Sequence, residues 1–174
     1  MDTPRKPLLN IDEIELRPRP PAFCATGEAA QRFDARMGEI APRIGARLLG
    51  YNLTAVPPGK RAFPLHNHHA NEEMFFVLEG TGELRMGAGT WPVRAGDVIA
   101  CPPGGPEVAH QLVNTGDTEL RYLAVSTRLS PEICQYPDSG KFAASAYGAD
   151  GRPGQWTFRH VGRPDDARDY WEGE

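Results

Sequence analysis

Short apolar runs separated by glycine- and proline-rich joints fill the chain from about residue 43 to residue 128. The runs are RLLGYNLTAV, EMFFVLEG, GELRMG, DVIAC, HQLVN and LRYLAVST, and the joints are VPPG, GTG, GAG, RAGD, PPGGP and NTGD. Short strands at near-regular spacing with turn signals between them are typical of an antiparallel sandwich or barrel. Because the sequence contains no internal repeat, it predicts an all-β fold with one barrel.

The N-terminal segment has a different texture from this central region. Five prolines between residues 4 and 21 predict an extended arm, because proline fixes φ and removes a backbone donor. Further on, Ala30, Phe33, Met37 and Ile40 recur at spacings of three and four, which places them on one helical face. We therefore predict one short amphipathic helix between residues 26 and 41, ended by Pro42.

The C-terminal segment is rich in glycine, aspartate and arginine beyond residue 143. This composition predicts an extension that packs on the barrel or on a partner subunit. The predicted division of the chain is a proline-rich arm with a short helix (1–42), a β-barrel (43–130) and this C-terminal extension (131–174).

Composition and charge exclude several classes of protein. The 174 residues carry 19 Lys+Arg against 23 Asp+Glu, a net charge of −4 that disfavours a nucleic-acid partner. No apolar run approaches the roughly 18 residues of a membrane span, and acidic residues occupy the place of a signal peptide's apolar segment. Three separated cysteines without a CxxC motif are typical of a reduced protein. We predict a cytoplasmic protein that binds neither membranes nor nucleic acid.

The histidines are the candidate functional residues. His66 and His68 lie two positions apart in an expected strand, so their imidazoles leave the same face with Cα atoms about 7 Å apart. That separation allows both rings to bind one metal ion through bonds of about 2 Å. His69 points to the other face and is not expected to join them.

A carboxylate follows this pair, but alternation does not decide which one. Glu72 would share the histidine face in an unbroken strand, whereas Glu73 would not. A bend at Ala70 and Asn71 would reverse that assignment. Alternation by itself therefore leaves both glutamates open.

A third histidine, His110, begins the strand that follows a proline- and glycine-rich turn, and this return can bring it beside the first pair. Three imidazoles and one carboxylate suit a divalent first-row transition metal such as Mn, Fe, Co, Ni or Zn, with positions left for water or substrate. The sequence therefore predicts one divalent metal as cofactor.

Two motifs resemble those of the cupin superfamily. The first is Gly59…His66-x-His68-x4-Glu73-x6-Gly80, and the second is Gly96-x5-Pro102-x-Gly104…His110-x3-Asn114. The resemblance covers residues 45–128 and implies a double-stranded β-barrel, or jelly roll. It also implies His66, His68, Glu73 and His110 as metal ligands, which favours Glu73 over Glu72.

The chain departs from the family pattern in two places. One extra residue separates Gly59 from His66, and five residues rather than two separate Gly104 from His110. Outside the motifs, the segment 137–141 (PDSGK) resembles small bacterial cupins named sugar-phosphate isomerase-like or polyketide-cyclase-like. Alternation along the barrel strands gives four further pocket candidates: Phe75, Val77, Leu112 and Tyr122.

Two functions fit these expectations. The first is a metal-dependent enzyme of dioxygenase or isomerase type that acts on a small oxygen-bearing organic substrate. The second is a non-catalytic ligand-binding or sensor protein in which the metal is structural or captures the ligand. An isomerase for a sugar phosphate would need cations at the pocket mouth, for which the candidates are Lys60, Arg61, Arg85 and Lys141. Exposed strand edges favour a homodimer.

Overall fold

The computed structural model describes residues 6–148 and 156–174, and almost all of its regular structure is β. The strands are β1 (Arg17–Pro18), β2 (Arg36–Glu39), β3 (Leu49–Val56), β4 (Asn67–His68), β5 (Glu73–Glu79), β6 (Thr81–Met86), β7 (Gly89–Arg94), β8 (Val98–Cys101), β9 (His110–Val113), β10 (Leu120–Thr127), β11 (Glu132–Tyr136), β12 (Lys141–Tyr147) and β13 (Trp156–Gly162). One α-helix, α1 (Ala41–Ile44), accompanies them within the described ranges. The predicted all-β class is confirmed.

The strands form two layers, and all pairs of neighbouring strands in the described residues are antiparallel. One layer is a six-stranded sheet with the order β1-β2-β3-β10-β5-β8. The other layer consists of a sheet β7-β6-β9 and a sheet β13-β12-β11-β4. These two sheets meet at a bridge in which His66 and His110 exchange backbone hydrogen bonds of 3.2 and 2.7 Å. The bridge places both histidines at the seam of the second layer.

The hydrophobic core fills the space between the layers. Alternate residues of β5 point inward, so that Phe75 and Val77 are buried while their neighbours are more exposed. The other layer contributes Leu84 of β6 and Leu112 of β9 to the same cluster. This packing fixes the distance between the layers and therefore the position of any side chain at the seam.

Glycine makes one of the tight passages from layer to layer possible. Gly80 lies between β5 and β6, which belong to different layers, and has a φ of +81°. A Cβ atom at this position would lie 2.5 Å from the carbonyl oxygen of Glu119. The corner therefore requires both the left-handed conformation and the missing side chain of glycine.

The prediction of an amphipathic helix between residues 26 and 41 is wrong. Gly27–Gln31 form a short 3-10 helix, and residues 36–39 form strand β2, paired with β3 on one side and β1 on the other. At Gly38 a Cβ atom would collide with the side chain of Ile14, so the close approach of the arm needs glycine. Pro42 does not end a helix but lies in the first turn of α1, where its missing N–H has no cost.

The predicted extended arm is present as β1 with short 3-10 helices on either side, at Ile11–Glu13 and Pro21–Phe23. Strands β11 to β13 follow the barrel, and β11 pairs with β4. The division into three segments stays a prediction, and part of the glycine-rich stretch, residues 149–155, lies outside the described residues. Within the described ranges, none of the helices has the length and apolar character that crossing a membrane would require.

Candidate metal centre

The segment 66–68 lies between β9 and β11, and this position brings the sequence-predicted donors together. His66 pairs with His110, whereas Asn67 and His68 pair with Gln135 and Cys134. Glu73 reaches the same point from β5 in the opposite layer. The ring centroid of His66 lies 4.7 Å from that of His110 and 5.1 Å from that of His68.

Three imidazole nitrogens converge on one carboxylate oxygen. The Nε2 atoms of His110, His68 and His66 lie 3.0, 3.4 and 3.7 Å from Glu73 Oε2. The donor atoms of His66, His68 and Glu73 all lie within 4.8 Å of one another. Two ligands bonded at about 2.1 Å to one ion lie about 3.0 to 3.4 Å apart when the angle between them is 90° to 109°. The observed spacing is close to that of ligands sharing an ion.

The opposite ring nitrogens indicate how two of the imidazoles are oriented. His66 Nδ1 lies 2.9 Å from the carbonyl oxygen of Pro64, and His110 Nδ1 lies 3.3 Å from that of Val108. Because a carbonyl only accepts, each Nδ1 carries hydrogen, and in the neutral ring Nε2 then carries the lone pair. Lone pairs that face a carboxylate oxygen repel it unless a positive charge lies between them.

The third imidazole supports the same interpretation. His68 Nε2 is buried and makes no hydrogen bond with the described residues. A buried polar atom without a partner is costly in a folded protein, and a metal ion would satisfy it. The donor set of three nitrogens and one carboxylate therefore fits a divalent transition metal.

A bend at residues 69–71 decides which glutamate faces inward. Glu73 points to the histidines, whereas Glu72 is exposed and donates its backbone N–H to Thr127 Oγ1 at 2.9 Å. The exposed His69 points away from the cluster, as predicted. The bend interrupts strand alternation, which is why the sequence pattern by itself left both glutamates open.

Glu132 of β11 holds this bend. Its carboxylate accepts hydrogen bonds from the backbone N–H groups of His69 at 3.0 Å, Ala70 at 3.2 Å and Asn71 at 2.8 Å. It also accepts from the Asn71 side chain and from its neighbour Ile133. Glu132 is only 5% exposed, so its carboxylate has lost most of its water. The protein donors take the place of that water.

The ionisation of the site follows from these contacts. Burial by itself raises the pKa of Glu73, but the three imidazoles of His110, His66 and His68 that face its carboxylate outweigh burial and hold that pKa well below its ordinary value. For Glu132, the cost of burial is likewise outweighed by His68 and backbone donors, which lower its pKa to about 2. Both carboxylates are therefore negative at neutral pH.

The four predicted pocket residues are all buried in one hydrophobic cluster. The ring of Phe75 lies 5.6 Å from that of His110 and 5.4 Å from that of Tyr122, both edge-on. Val77 and Leu112 lie in the same hydrophobic cluster as these two rings. Burial raises the pKa of the Tyr122 hydroxyl, which stays protonated.

Sequence reasoning missed several residues at the site. Tyr136 stacks on His66 with ring centroids 6.4 Å apart, and Cys134 Sγ lies 3.2 Å from His68 Nδ1. Both residues, like Glu132, lie on β11, more than 60 residues after His66 and His68. Their only signal in the sequence is alternation along residues 132, 134 and 136, which places them on one face of a strand.

Two of the four candidate cations, Lys60 and Arg85, are bound by other groups of this chain. Lys60 donates to the backbone carbonyls of Ala30 and Gln31, and Arg85 forms a two-pronged ion pair with Asp138 at 3.0 and 3.1 Å. Arg19, which sequence reasoning did not select, lies 4.3 Å above the ring of Phe63, whose centroid is 6.2 Å from that of His66. The arm therefore places a guanidinium on the aromatic ring that neighbours His66.

The fold and this cluster define a class: jelly-roll proteins with imidazoles and a carboxylate gathered at the seam of their sheets. Residues 52–126 match the Cupin domain family, so this part of the chain is a cupin domain. Both the double-stranded β-barrel fold and the resemblance drawn from the two motifs are confirmed.

Three comparisons place the chain more closely. Its structure is similar to that of a Silicibacter pomeroyi protein described as a sugar phosphate isomerase from a cupin superfamily. The TM-score is 0.74, the identity is 26%, and the match covers 95% of this chain and 98% of that one. It is equally similar to a protein of Acidithiobacillus ferrooxidans named for the same activity, with a TM-score of 0.74, 25% identity and coverage of 95% and 97%. The oxalate-binding protein of Thermotoga maritima is 36% identical over 70 residues, 40% of this chain and 54% of that protein. The chain thus spans about half the length of the curated relatives it matches.

Proposed function

We propose that this chain binds one divalent transition metal through His66, His68, Glu73 and His110 and catalyses an isomerase-type reaction on a small, oxygen-bearing anionic substrate. The observation that carries the proposal is the convergence of three Nε2 atoms on Glu73 Oε2 at 3.0 to 3.7 Å. A bound ion would supply Lewis-acid stabilisation of negative charge on a substrate oxygen.

Residues around the cluster would bind and orient the substrate. Tyr136 covers one side of the donors by stacking on His66, and its phenol can donate a hydrogen bond to a substrate oxygen. Phe75 closes the inner side next to His110 and keeps water away from that edge. Arg19, held against Phe63, offers a positive charge to an anionic group of the substrate.

The likeness to a named sugar phosphate isomerase, which extends over 95% of this chain, favours the isomerase type over the dioxygenase type. A second candidate is non-catalytic binding of a small dicarboxylate or similar anion. The similarity of 70 residues to an oxalate-binding protein favours this alternative. In both cases the metal and an anionic, oxygen-bearing ligand occupy the same place.

Metal analysis tests the ligand set. The protein purified without added metal or chelator is expected to contain close to one equivalent of a divalent transition metal. The variants His66→Ala and His110→Ala are expected to lose most of it while keeping the β-type circular-dichroism spectrum, because the cluster lies at a seam and not in the apolar core. Metal content that survives both substitutions would contradict the assignment.

Substrate assays separate the two candidate functions. The metal-loaded protein would be mixed with aldose and ketose phosphates and, separately, with oxalate and related dicarboxylates. Conversion of a sugar phosphate, lowered in Tyr136→Phe and in Arg19→Ala, would support the enzyme. Saturable binding of dicarboxylates without turnover of any compound in the panel would support the binding protein.

A further inference from the structure

Among the three histidines proposed as metal ligands, His68 differs from the other two in the partner of its Nδ1 atom. His66 and His110 direct Nδ1 to the backbone carbonyl of the residue two positions earlier in the chain. His68 Nδ1 instead faces two side chains of β11: Cys134 Sγ at 3.2 Å and Glu132 Oε2 at 3.8 Å. Whatever fixes the orientation of this ring therefore comes from the strand that follows the barrel.

The donors of His68, Glu132 and Cys134 lie within 4.8 Å of one another, which raises the question of a second metal ion. The Glu132 carboxylate argues against it. An ionised carboxylate offers about four lone-pair positions, and among the described residues five N–H groups already donate to this one. No lone pair is left for an ion, so the group acts as an organiser of the backbone.

Glu132 and Asn71 together fix the course of the chain between two of the proposed ligands. Glu132 binds the N–H groups of residues 69–71, and Asn71 Oδ1 accepts from Thr127 Oγ1 at 2.9 Å and from the backbone of Leu129 at 2.6 Å. This is the bend that turns Glu73 inward. The carboxylate of one strand thus sets the position of both His68 and Glu73.

Cys134 completes the arrangement, because β11 pairs with β4 at the register Cys134–His68. A neutral imidazole binds a metal through Nε2 only when its hydrogen is on Nδ1. The sulfur lies where it accepts that hydrogen. If the thiol donated instead, the ring hydrogen would move to Nε2 and block it.

We propose that Cys134 and Glu132 are positioning residues of the metal centre: Cys134 Sγ accepts the Nδ1 hydrogen of His68, and Glu132 fixes the bend between His68 and Glu73. The proposal rests on the metal site proposed above. It makes the metal affinity of the barrel depend on the docking of β11. Removal of an outer partner of a metal-bound histidine typically weakens metal binding about 10- to 100-fold.

The test uses the full chain and zinc, with affinity measured by competition against a chromophoric chelator. We expect Cys134→Ala to weaken zinc binding about 10- to 100-fold. Cys134→Ser, which keeps an acceptor, is expected to recover part of the loss. Cys24→Ala removes an exposed thiol and is the matched control, expected to bind zinc like the wild type.

A second measurement reports the ring hydrogen directly. Long-range ¹⁵N–¹H spectra of the histidines distinguish the two neutral tautomers. In metal-free Cys134→Ala the His68 signals are expected to shift toward a mixture, while those of His66 and His110 stay with hydrogen on Nδ1. A general loss of stability would change the signals of all three histidines and not those of His68 alone.

Each other outcome contradicts a defined part of the argument. Unchanged zinc affinity in Cys134→Ala, with zinc lost in His66→Ala, would overturn the positioning role and leave the proposed metal site intact. Two zinc equivalents in the wild type and one in Cys134→Ala would make Cys134 a ligand of a second ion and overturn the role as well. A wild type that binds no zinc, nickel, cobalt or manganese would overturn the proposed function, and this role with it.

Discussion

The two halves of the donor cluster are held in contrasting ways. On the barrel side, His66 and His110 are oriented by the backbone carbonyls of Pro64 and Val108, two residues away in the chain. On the β11 side, His68 is oriented by side chains 64 and 66 residues later. One half is built from local strand geometry, and the other half exists only after the C-terminal strands have docked.

This difference has consequences for how each half can change. A backbone carbonyl cannot be removed by a substitution, so the anchors of His66 and His110 tolerate sequence change around them. The anchors of His68 are a carboxylate and a thiol, and each depends on the identity of one residue. Substitutions on β11 are therefore expected to alter the site more than substitutions next to the barrel histidines.

The largest expected effect is that of Glu132→Ala. This change leaves several buried N–H groups of the bend without acceptors, at about 1–3 kcal/mol for each that water does not reach. We expect the free energy of unfolding to fall by about 3–5 kcal/mol, measured by urea denaturation. The neighbouring exposed Glu72→Ala serves as the control and is expected to change it by less than about 0.5 kcal/mol. Equal midpoints for the two variants would contradict the organising role of Glu132.

Acid unfolding probes the same carboxylate without mutation. The pKa of Glu132 is lowered from 4.5 to about 2, so its folded form releases its proton more readily than the unfolded chain does. Its contribution to the free energy of unfolding is complete above about pH 5 and is lost as the pH falls toward 2, on the order of 3 kcal/mol in total. In metal-free protein, Glu132→Gln is expected to flatten the dependence of unfolding free energy on pH in this window. The same slope in both proteins would contradict the assignment.

The anchor of His110 gives the opposite expectation. Val108→Ala leaves the carbonyl in place and removes two methyl groups from a half-buried side chain. We expect a loss of about 0.5–1.5 kcal/mol of stability and zinc affinity within about twofold of the wild type. A loss of affinity as large as that of Cys134→Ala would remove the distinction between the two halves.

The smallest expected effect concerns the ion pair between Arg85 and Asp138, which joins β6 to the turn after β11. Both side chains are largely solvent-accessible, at 36% and 53%, and exposed pairs contribute about 0–1 kcal/mol. Arg85→Ala is expected to lower thermal stability slightly and to leave zinc affinity unchanged. Strong loss of zinc would show that this pair, and not Cys134 and Glu132, holds β11 at the site.

Much of the donor cluster was predictable because its members occupy strand positions whose direction alternates. His66 and His68 share a face by spacing alone, and His110 returns beside them through a recognisable turn. Selection of Glu73 was different: it depended on the family resemblance, since the bend at residues 69–71 breaks alternation. That bend is stabilised by Glu132, which no local pattern connects with it.

The wrong prediction of a helix between residues 26 and 41 also shows that a local sequence pattern cannot reveal partners distant in the chain. Its apolar spacing satisfied a helical period, but residues 36–39 gain backbone hydrogen bonds from β3 and β1 on both sides. Partners distant in sequence supplied what a local pattern could not reveal. Local periodicity is a weak guide where an edge strand can extend a sheet.

By itself the sequence pattern determined an antiparallel all-β fold and the histidines that meet at its seam, because strand alternation and turn residues act over a few positions; the jelly roll was implied by the family resemblance. Only the tertiary structure decided by geometry which glutamate faces inward, how His68 is oriented, and that Tyr136 stacks on His66 and Arg19 on Phe63. These depend on hydrogen bonds and ring contacts between segments about 40 to 70 residues apart. Such contacts form only when the layers have packed, and no short-range pattern records them.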